Sequence, residues 1–470
     1  MGAKIQRDFT TGSIGRHLIQ FCLPFLLSNF IQACYSVADM LIVGNFADTN
    51  ALAGVTNGAQ ITNLVINMVS GLTIGGTVLV GQYFGAKQEK DVSETIGTMF
   101  SVMMIVGLFL TVVMIACTEL VMTFLKVPAD AWAPAKDYTN ICLLGTIFTF
   151  GYNAISAVQR GMGESKRPLY FVSIAAVINV GLDFWFVAGL GMGARGAAWA
   201  TISAQAISMT LAAIYLKRKN FIFDFKLKSF AIKMDKVRLV LKLGIPSSIQ
   251  SIVSSLSFML MTSIVNDFGV EASAAVGIVG RFNSFAILPA VAMSSAVSSM
   301  VAQNIGAGLH DRAKKSLEYG IALALALGVV VFTIAQLFSD QIMNVFIEEE
   351  DPIVLQKVLD FGRAYMRAFS FDYLFVPFAF CFNGFLNGVG LTTFTLANNV
   401  FSAVIFRMPV ALFLSKTSLE LAGVGAAAPA ASVAGGLISL IYILRGSWKR
   451  DVTGIRRTPI KNEEEGAAQA

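Results

Sequence analysis

Residues 23–40 read LPFLLSNFIQACYSVADM, and residues 245–262 read IPSSIQSIVSSLSFMLMT. Laid over each other without a gap, both are long apolar runs, and Pro24 falls on Pro246. A second pair follows at almost the same shift. VGQYFGAKQEKDVSET (80–95) lies over VAQNIGAGLHDRAKKS (301–316), matching Val80, Gln82, Gly85 and Ala86 to Val301, Gln303, Gly306 and Ala307. The chain repeats itself once, and the repeat decides the fold. Crossing a bilayer as a helix takes about 20 apolar residues. Such stretches lie near 15–44, 54–83, 95–117, 136–159, 168–189, 195–216, 242–267, 274–303, 316–338, 361–386, 391–414 and 421–444. Six per half is an even number, so both copies run through the membrane in the same sense. The halves are then related by an axis along the membrane normal, a transporter arrangement with the substrate path between them.

Composition agrees. Of the 470 residues, 55% are hydrophobic and 14% charged, with a mean hydropathy of +0.68. A soluble domain carries about 25% charged residues, so an all-α integral membrane protein is expected. Its organisation is read as an N-terminal six-helix lobe (1–216), a basic linker (217–241), a C-terminal six-helix lobe (242–445) and a polar tail (446–470). The apolar and basic residues of FIFDFKLKSFAIKMDKV (221–237) interleave, so part of the linker is expected on the anionic inner membrane surface. The net charge of +6 is spread over short loops and implies no nucleic-acid partner. Basic residues cluster before the first helix and after the second, fourth, sixth, eighth and last, whereas the alternate loops are acidic or bare, as in EEED (348–351). Both termini are therefore expected in the cytoplasm and the chain in the plasma (cytoplasmic) membrane. MGAKIQRDFTTGSIGRH (1–17) reads as no cleavable signal, and KNEEEGAAQA (461–470) as a disordered tail. The five cysteines show neither paired nor metal-binding spacing and read as small buried hydrophobes.

Ionisable residues inside spans default to functional hypotheses. Five stand there: Asp39, Asp183, Arg281, Asp372 and Arg407. At about 1.5 Å per residue, Asp39 sits roughly 8 Å inside the outer end of the first helix. Asp183 lies roughly 22 Å above the inner surface, and Thr201 roughly 9 Å below the outer one. The three depths converge in the outer half of the N-terminal lobe. Asn179, four residues before Asp183, shares its helical face. Two carboxylates, an amide and a hydroxyl offer oxygens suited to a hard cation such as Na⁺, or sites for a shared proton. Burial and mutual repulsion disfavour ionising both acids at once. Only the neutralised site tolerates closure around it, which is a physical basis for coupling to a gradient. The alternative is a structural polar cluster pinning helices together.

The proline-bearing first helix ending in YSVADMLIVG (35–44), the GQYFGA and AQNIGA turns and QRGMGESKRP (159–168) together resemble the multidrug and toxic compound extrusion (MATE) family over about residues 12–445. The resemblance implies a V-shaped bundle of two lobes and cation-driven export of organic, often cationic, compounds. In the DinF-like branch, coupling positions on the first, fifth and sixth helices map onto Asp39, Asn179, Asp183 and Thr201. Asn153, in FGYNAISAVQRG (150–161), matches a further polar position of that lobe.

The C-terminal half differs. Met261 stands opposite Asp39, and Ser254 stands where NorM-like relatives carry a glutamate. Asp372, in SFDYLFVPF (370–378), resembles a NorM-type acidic position; attraction of a cationic solute and pairing with Arg367 or Arg407 are both open. Arg281 is expected to snorkel. Arg407, beside Pro409, reads either as a counter-ion or as a partner for a freed carbonyl. Pro24 is read as a kink below Asp39, either a hinge or a passive bend. Phe150, Tyr152, Phe371 and Tyr373 are nominated for the cavity wall because they adjoin Asn153 and Asp372. With no Walker sequence, zinc spacing or catalytic triad, no enzyme or resident cofactor is expected. The reading is a monomeric antiporter that exports amphipathic organic cations against Na⁺ or H⁺. A lipid-linked saccharide flippase is the alternative; it would need several basic residues facing a pyrophosphate, where the N-terminal lobe offers carboxylates.

Overall fold

The computed structural model describes residues 7–219, 221–347, 351–449 and 454–455. Among them, ten helices are long and apolar enough to cross a bilayer, and two bent helix pairs bring the number to twelve. The N-terminal lobe holds α1 (Ile14–Phe46), α2 (Thr49–Gly85), α3 (Glu89–Phe124), α4 (Ala129–Leu144 with Thr146–Gly161), α5 (Lys166–Gly189) and α6 (Gly193–Arg218). The C-terminal lobe holds α7 (Met234–Asn266), α8 (Val270–Gly306), α9 (His310–Leu337), α10 (Pro352–Phe369 with Asp372–Val389), α11 (Thr392–Leu414) and α12 (Glu420–Leu444). All twelve expected spans are present, and most run past the apolar stretch into the polar ends.

The repeat extends to details that hydropathy does not show. α4 and α10 are bent by 47° and 45° at matching breaks. α5 ends in a π-wound segment, Phe184–Gly189, and α11 carries one of the same length, Ser402–Arg407. Such segments disturb the regular ladder and concentrate at functional sites. By contrast α1 keeps its helical assignment through Pro24, whose carbonyl accepts from the Ser28 hydroxyl at 2.9 Å, so the expected kink is not a break.

The lobes meet tightly at the end of the bundle that carries the basic loops, here the basic end. Gln82 Nε2 donates to the carbonyls of Gly388 (2.9 Å) and Val389 (3.2 Å) in the opposite lobe. Gln303 Nε2 donates to the Gly161 carbonyl at 3.0 Å, the mirror contact. A Cβ on Gly85 would strike the Gln303 carbonyl, and one on Gly306 the Gln82 carbonyl. Glycine here lets two backbones approach where any larger residue would part them. The chain's beginning straps this seam. Phe9 is fully buried, its N–H donates to Gln303 Oε1 at 2.9 Å, and its carbonyl accepts from Arg312 Nε at 2.9 Å.

The linker departs from expectation. α7 begins at Met234, so its first two turns fall inside the stretch read as linker. Phe221 and Phe223 are buried in the N-terminal core, and Phe223 packs against Phe100 and Phe230. These aromatics cover the end of α3 rather than a membrane surface. Lys236 is 3% exposed and donates to Asp91 (2.6 Å) and Tyr83 (2.9 Å), fastening α7 to the opposite lobe. At the other end, Trp448 is buried against Phe385. Most of the tail and Glu348–Glu350 lie outside the described residues.

Candidate functional site

Two polar sites lie within the bundle. The first is a pocket in the N-terminal lobe between α1, α5 and α6. Asp183 (0% exposed), Asn179 (2%) and Asp39 (8%) are buried there. The Asp39 carboxyl faces the side chains of Asp183, Asn179 and Thr201, so the four residues expected to converge are brought together. The Thr201 hydroxyl lies 3.0 Å from the Ala197 carbonyl and within reach of Asp39, so its single hydrogen can serve either and its lone pairs remain open to the pocket. Asp39 Oδ1, both Asp183 oxygens and both amide atoms of Asn179 are buried without a well-formed hydrogen bond, although Asp39 stands within hydrogen-bonding reach of Asp183 and Asn179. Buried polar groups are normally satisfied. A cluster this rich in poorly paired acceptors, with two carboxylates face to face, needs a counter-charge before it can be dry.

Sequence reasoning missed the pocket's aromatic lining. Tyr138 and Cys142 of α4 interact with each other beside Asp39, and Tyr138 also stands near Asp183. Tyr35 faces Asp39 and meets Gln205. Tyr35 precedes Asp39 by four residues, the spacing that linked Asn179 to Asp183, so the same face argument finds it.

The second site is a central cavity of about 680 Å³ between the lobes. Its wall is made by α1, α2, α4 and α5 on one side and by α7, α8, α10, α11 and α12 on the other. Asn153 and Tyr152 line it, Tyr152 with its hydroxyl on the Pro168 carbonyl at 3.1 Å. Asn153 thus belongs to the cavity wall and not to the acidic pocket. Asp372 lines it too, at the start of the second half of α10, where the bend turns it inward. Ser254 also reaches the wall and donates to Asn399 Oδ1 at 3.2 Å.

Three nominated aromatics lie elsewhere. Phe150 is fully buried inside the N-terminal lobe, against Gly107. Phe371, in the break just before Asp372, is 47% exposed and packs on Phe332. Tyr373 is buried among Phe282 and Phe369, with its hydroxyl on Asn283 Oδ1 at 3.3 Å. Adjacency in sequence failed because successive helical residues point about 100° apart.

Arg407 closes the π segment of α11 and reaches α7. Its Nη1 donates to Ser257 Oγ at 3.3 Å, and its guanidinium lies 4.6 Å from the centre of the Phe258 ring. Asp372 is within electrostatic reach of Arg407, and among the described residues no ion pair joins them or ties Asp372 to Arg367. Arg281 is exposed on the surface of the bundle.

Twelve spans in two lobes of matching bends and π segments, a polar cavity between the lobes and a tightly packed basic end define a membrane transporter of the two-lobe type. The profile of the MatE family matches residues 24–185 and again 246–413, one match per lobe. The probable multidrug resistance protein YoeA of Bacillus subtilis is 30% identical over 89% of this chain and 91% of its own length. A MOP superfamily transporter from Pyrococcus furiosus, described as having a binding pocket of reversed polarity, superposes with a TM-score of 0.88 over 94% of this chain and 98% of that one at 20% identity. An outward-facing multidrug resistance MATE transporter gives the same TM-score over 96% and 99% at 19% identity. The chain belongs to the MatE family, the multidrug and toxic compound extrusion transporters.

Proposed function

We propose that this transporter is a secondary active antiporter of the DinF-like branch, exporting organic compounds in exchange for entry of Na⁺ or H⁺. The observation that carries the proposal is the pair of facing, buried carboxylates with poorly paired oxygens, Asp39 and Asp183, set apart from the central cavity. In a low-dielectric pocket two such groups repel, and each is poorly solvated. A single proton relieves the repulsion. Na⁺ suits the same set, since Asp39, Asp183, the Asn179 carbonyl and the Thr201 hydroxyl are all hard oxygen donors. Binding neutralises the pocket and releases the constraint on α1 packing against α5 and α6. α1 also contributes Ser28, Asn29 and Gln32 to the cavity wall, so its movement is the natural link between ion and cargo.

The basic loops support placing the tightly packed end and both termini in the cytoplasm, which makes this conformation outward-facing. Both lobes come from one chain, so a monomer suffices. The multidrug resistance named for YoeA supports organic cargo. The charge expected of that cargo rested on the carboxylates of the N-terminal lobe, and those do not line the cavity. Efflux from vesicles with Na⁺ and pH gradients imposed separately tests the proposal. One gradient should drive accumulation against a concentration difference; transport indifferent to both refutes antiport.

A further inference from the structure

We propose that the central cavity takes a water-soluble organic solute bearing a carboxylate or phosphate, held by Arg407 and Arg160, in preference to a lipophilic cation. This rests on the transporter reading above and names its cargo.

The argument begins with charge. Among the described residues, Arg160, Asp372 and Arg407 are the charged side chains on the cavity wall, two guanidiniums to one carboxylate, and Asp372 lies within electrostatic reach of Arg407. None of the ion pairs among the described residues involves either arginine. Arg407 Nε is buried with no hydrogen-bond partner, and the contact from Nη1 to Ser257 is long at 3.3 Å. Asp372 supplies negative charge to Arg407 from a distance but does not pair with it, which leaves the guanidinium fork open at membrane depth. The planar fork of a guanidinium matches a carboxylate or phosphate, with two parallel hydrogen bonds.

The aromatic faces of the cavity point the same way. A lipophilic cation is recognised by open aromatic rings and an acid. Here the guanidinium of Arg407 already lies over Phe258 at 4.6 Å, and that of Arg160 over Phe25 at 5.6 Å. Two of the rings a cationic solute would use are thus covered by the protein's own cations. Most of the remaining lining residues carry a hydroxyl or an amide, including Ser294, Ser432, Asn383 and Asn399, so partners are at hand for a hydrogen-bonding solute. The two carboxylates of the acidic pocket do not reach the wall and cannot restore a negative field there.

The test uses the full-length protein in detergent and three fluorescent probes: riboflavin 5′-phosphate, riboflavin, and ethidium. The first two differ by one phosphate. We expect riboflavin 5′-phosphate to bind at least about tenfold tighter than riboflavin and than ethidium. Arg407→Gln and Arg160→Gln should each remove most of that difference. Equal binding of the two flavins, or ethidium bound tightest, overturns the proposal. The contrast between probes on the unaltered protein decides the matter even where a variant fails to fold. Binding is read without a gradient, so a wrong cargo shows here, whereas a wrong coupling scheme shows in the vesicle experiment.

Discussion

In the N-terminal lobe the residue just before the π segment is Asp183; in the C-terminal lobe it is Phe401. On the first helix of each lobe, Asp39 is answered by Met261. Met261 is buried among apolar side chains, as Asp39 is among polar ones. Where the N-terminal lobe has two acids and no base in its pocket, the C-terminal lobe places Arg407 near Asp372 on the cavity wall. Backbone features repeat: bends, π segments, the glutamine and glycine pairs at the basic end. Chemistry does not. One frame occurs twice, and the charged residues differ between its copies; on the proposed reading ion exchange belongs to the N-terminal lobe, and cargo charge is met by Arg407 of the C-terminal lobe together with Arg160.

The hardest blow to that division is to remove the acids. Asp39→Asn or Asp183→Asn, at normal expression, should reduce gradient-driven efflux at least about tenfold, because the exchanged charge is lost and not merely weakened. Flavin phosphate binding should persist in both variants. Met261→Ala, at the matching position, should retain most of its efflux. If Asp39→Asn keeps full gradient-driven transport, the asymmetry between the lobes has been misread.

Where the lobes are alike, matched substitutions should act alike. Gly85→Val and Gly306→Val each push a side chain into a carbonyl of the opposite lobe. Both should hold the basic end ajar, raise labelling of a cysteine introduced near the seam, and cut efflux severalfold. Labelling is the deciding measurement. A large effect from one glycine and none from the other would show that the seam is not symmetric.

Much of this was legible in the sequence. Spans and repeat follow from apolar run length and from two alignments, because backbone bonds in lipid must close within a helix. The acidic pocket followed from depth and from helical spacing, since a carboxylate in an apolar run stands out against its neighbours. The cavity wall was harder to see. About half of its residues are serine and asparagine, spread over nine helices, and such residues occur as readily at helix contacts. The bends of α4 and α10 were hidden because both halves of each are ordinary helix. The linker aromatics were misplaced because a lipid surface and the flank of α3 accept the same apolar face.

A smaller effect tests how far the lobes support each other. Lys236 belongs to α7 but is anchored on Asp91 and Tyr83 of the N-terminal lobe. Lys236→Met removes the cation and keeps the stem. Asp91 is 37% exposed and stays solvated, so the loss should be about 1–2 kcal/mol, below that of a fully buried pair. Thermal unfolding in detergent should show a lower midpoint, with efflux by the surviving folded protein unchanged. An unchanged midpoint would mean that the glutamine and glycine seam and the Phe9 strap join the lobes at this end without help from Lys236.

The smallest expected effect separates position from proximity. Phe258 and Phe371 are both C-lobe aromatics near a charged residue, but Phe258 carries Arg407 on its face while Phe371 faces away from the cavity. The break in α10, which holds Phe371, turns Asp372 inward, so Phe371→Ala removes a ring that packs on Phe332 and nothing in the cavity. Efflux and flavin phosphate binding should stay within about twofold of the unaltered protein, the range of a surface truncation. Phe258→Ala, by contrast, frees the guanidinium from its support and should weaken flavin phosphate binding severalfold. Equal losses from the two would place Phe371 in the transport path and move the cargo site toward the break.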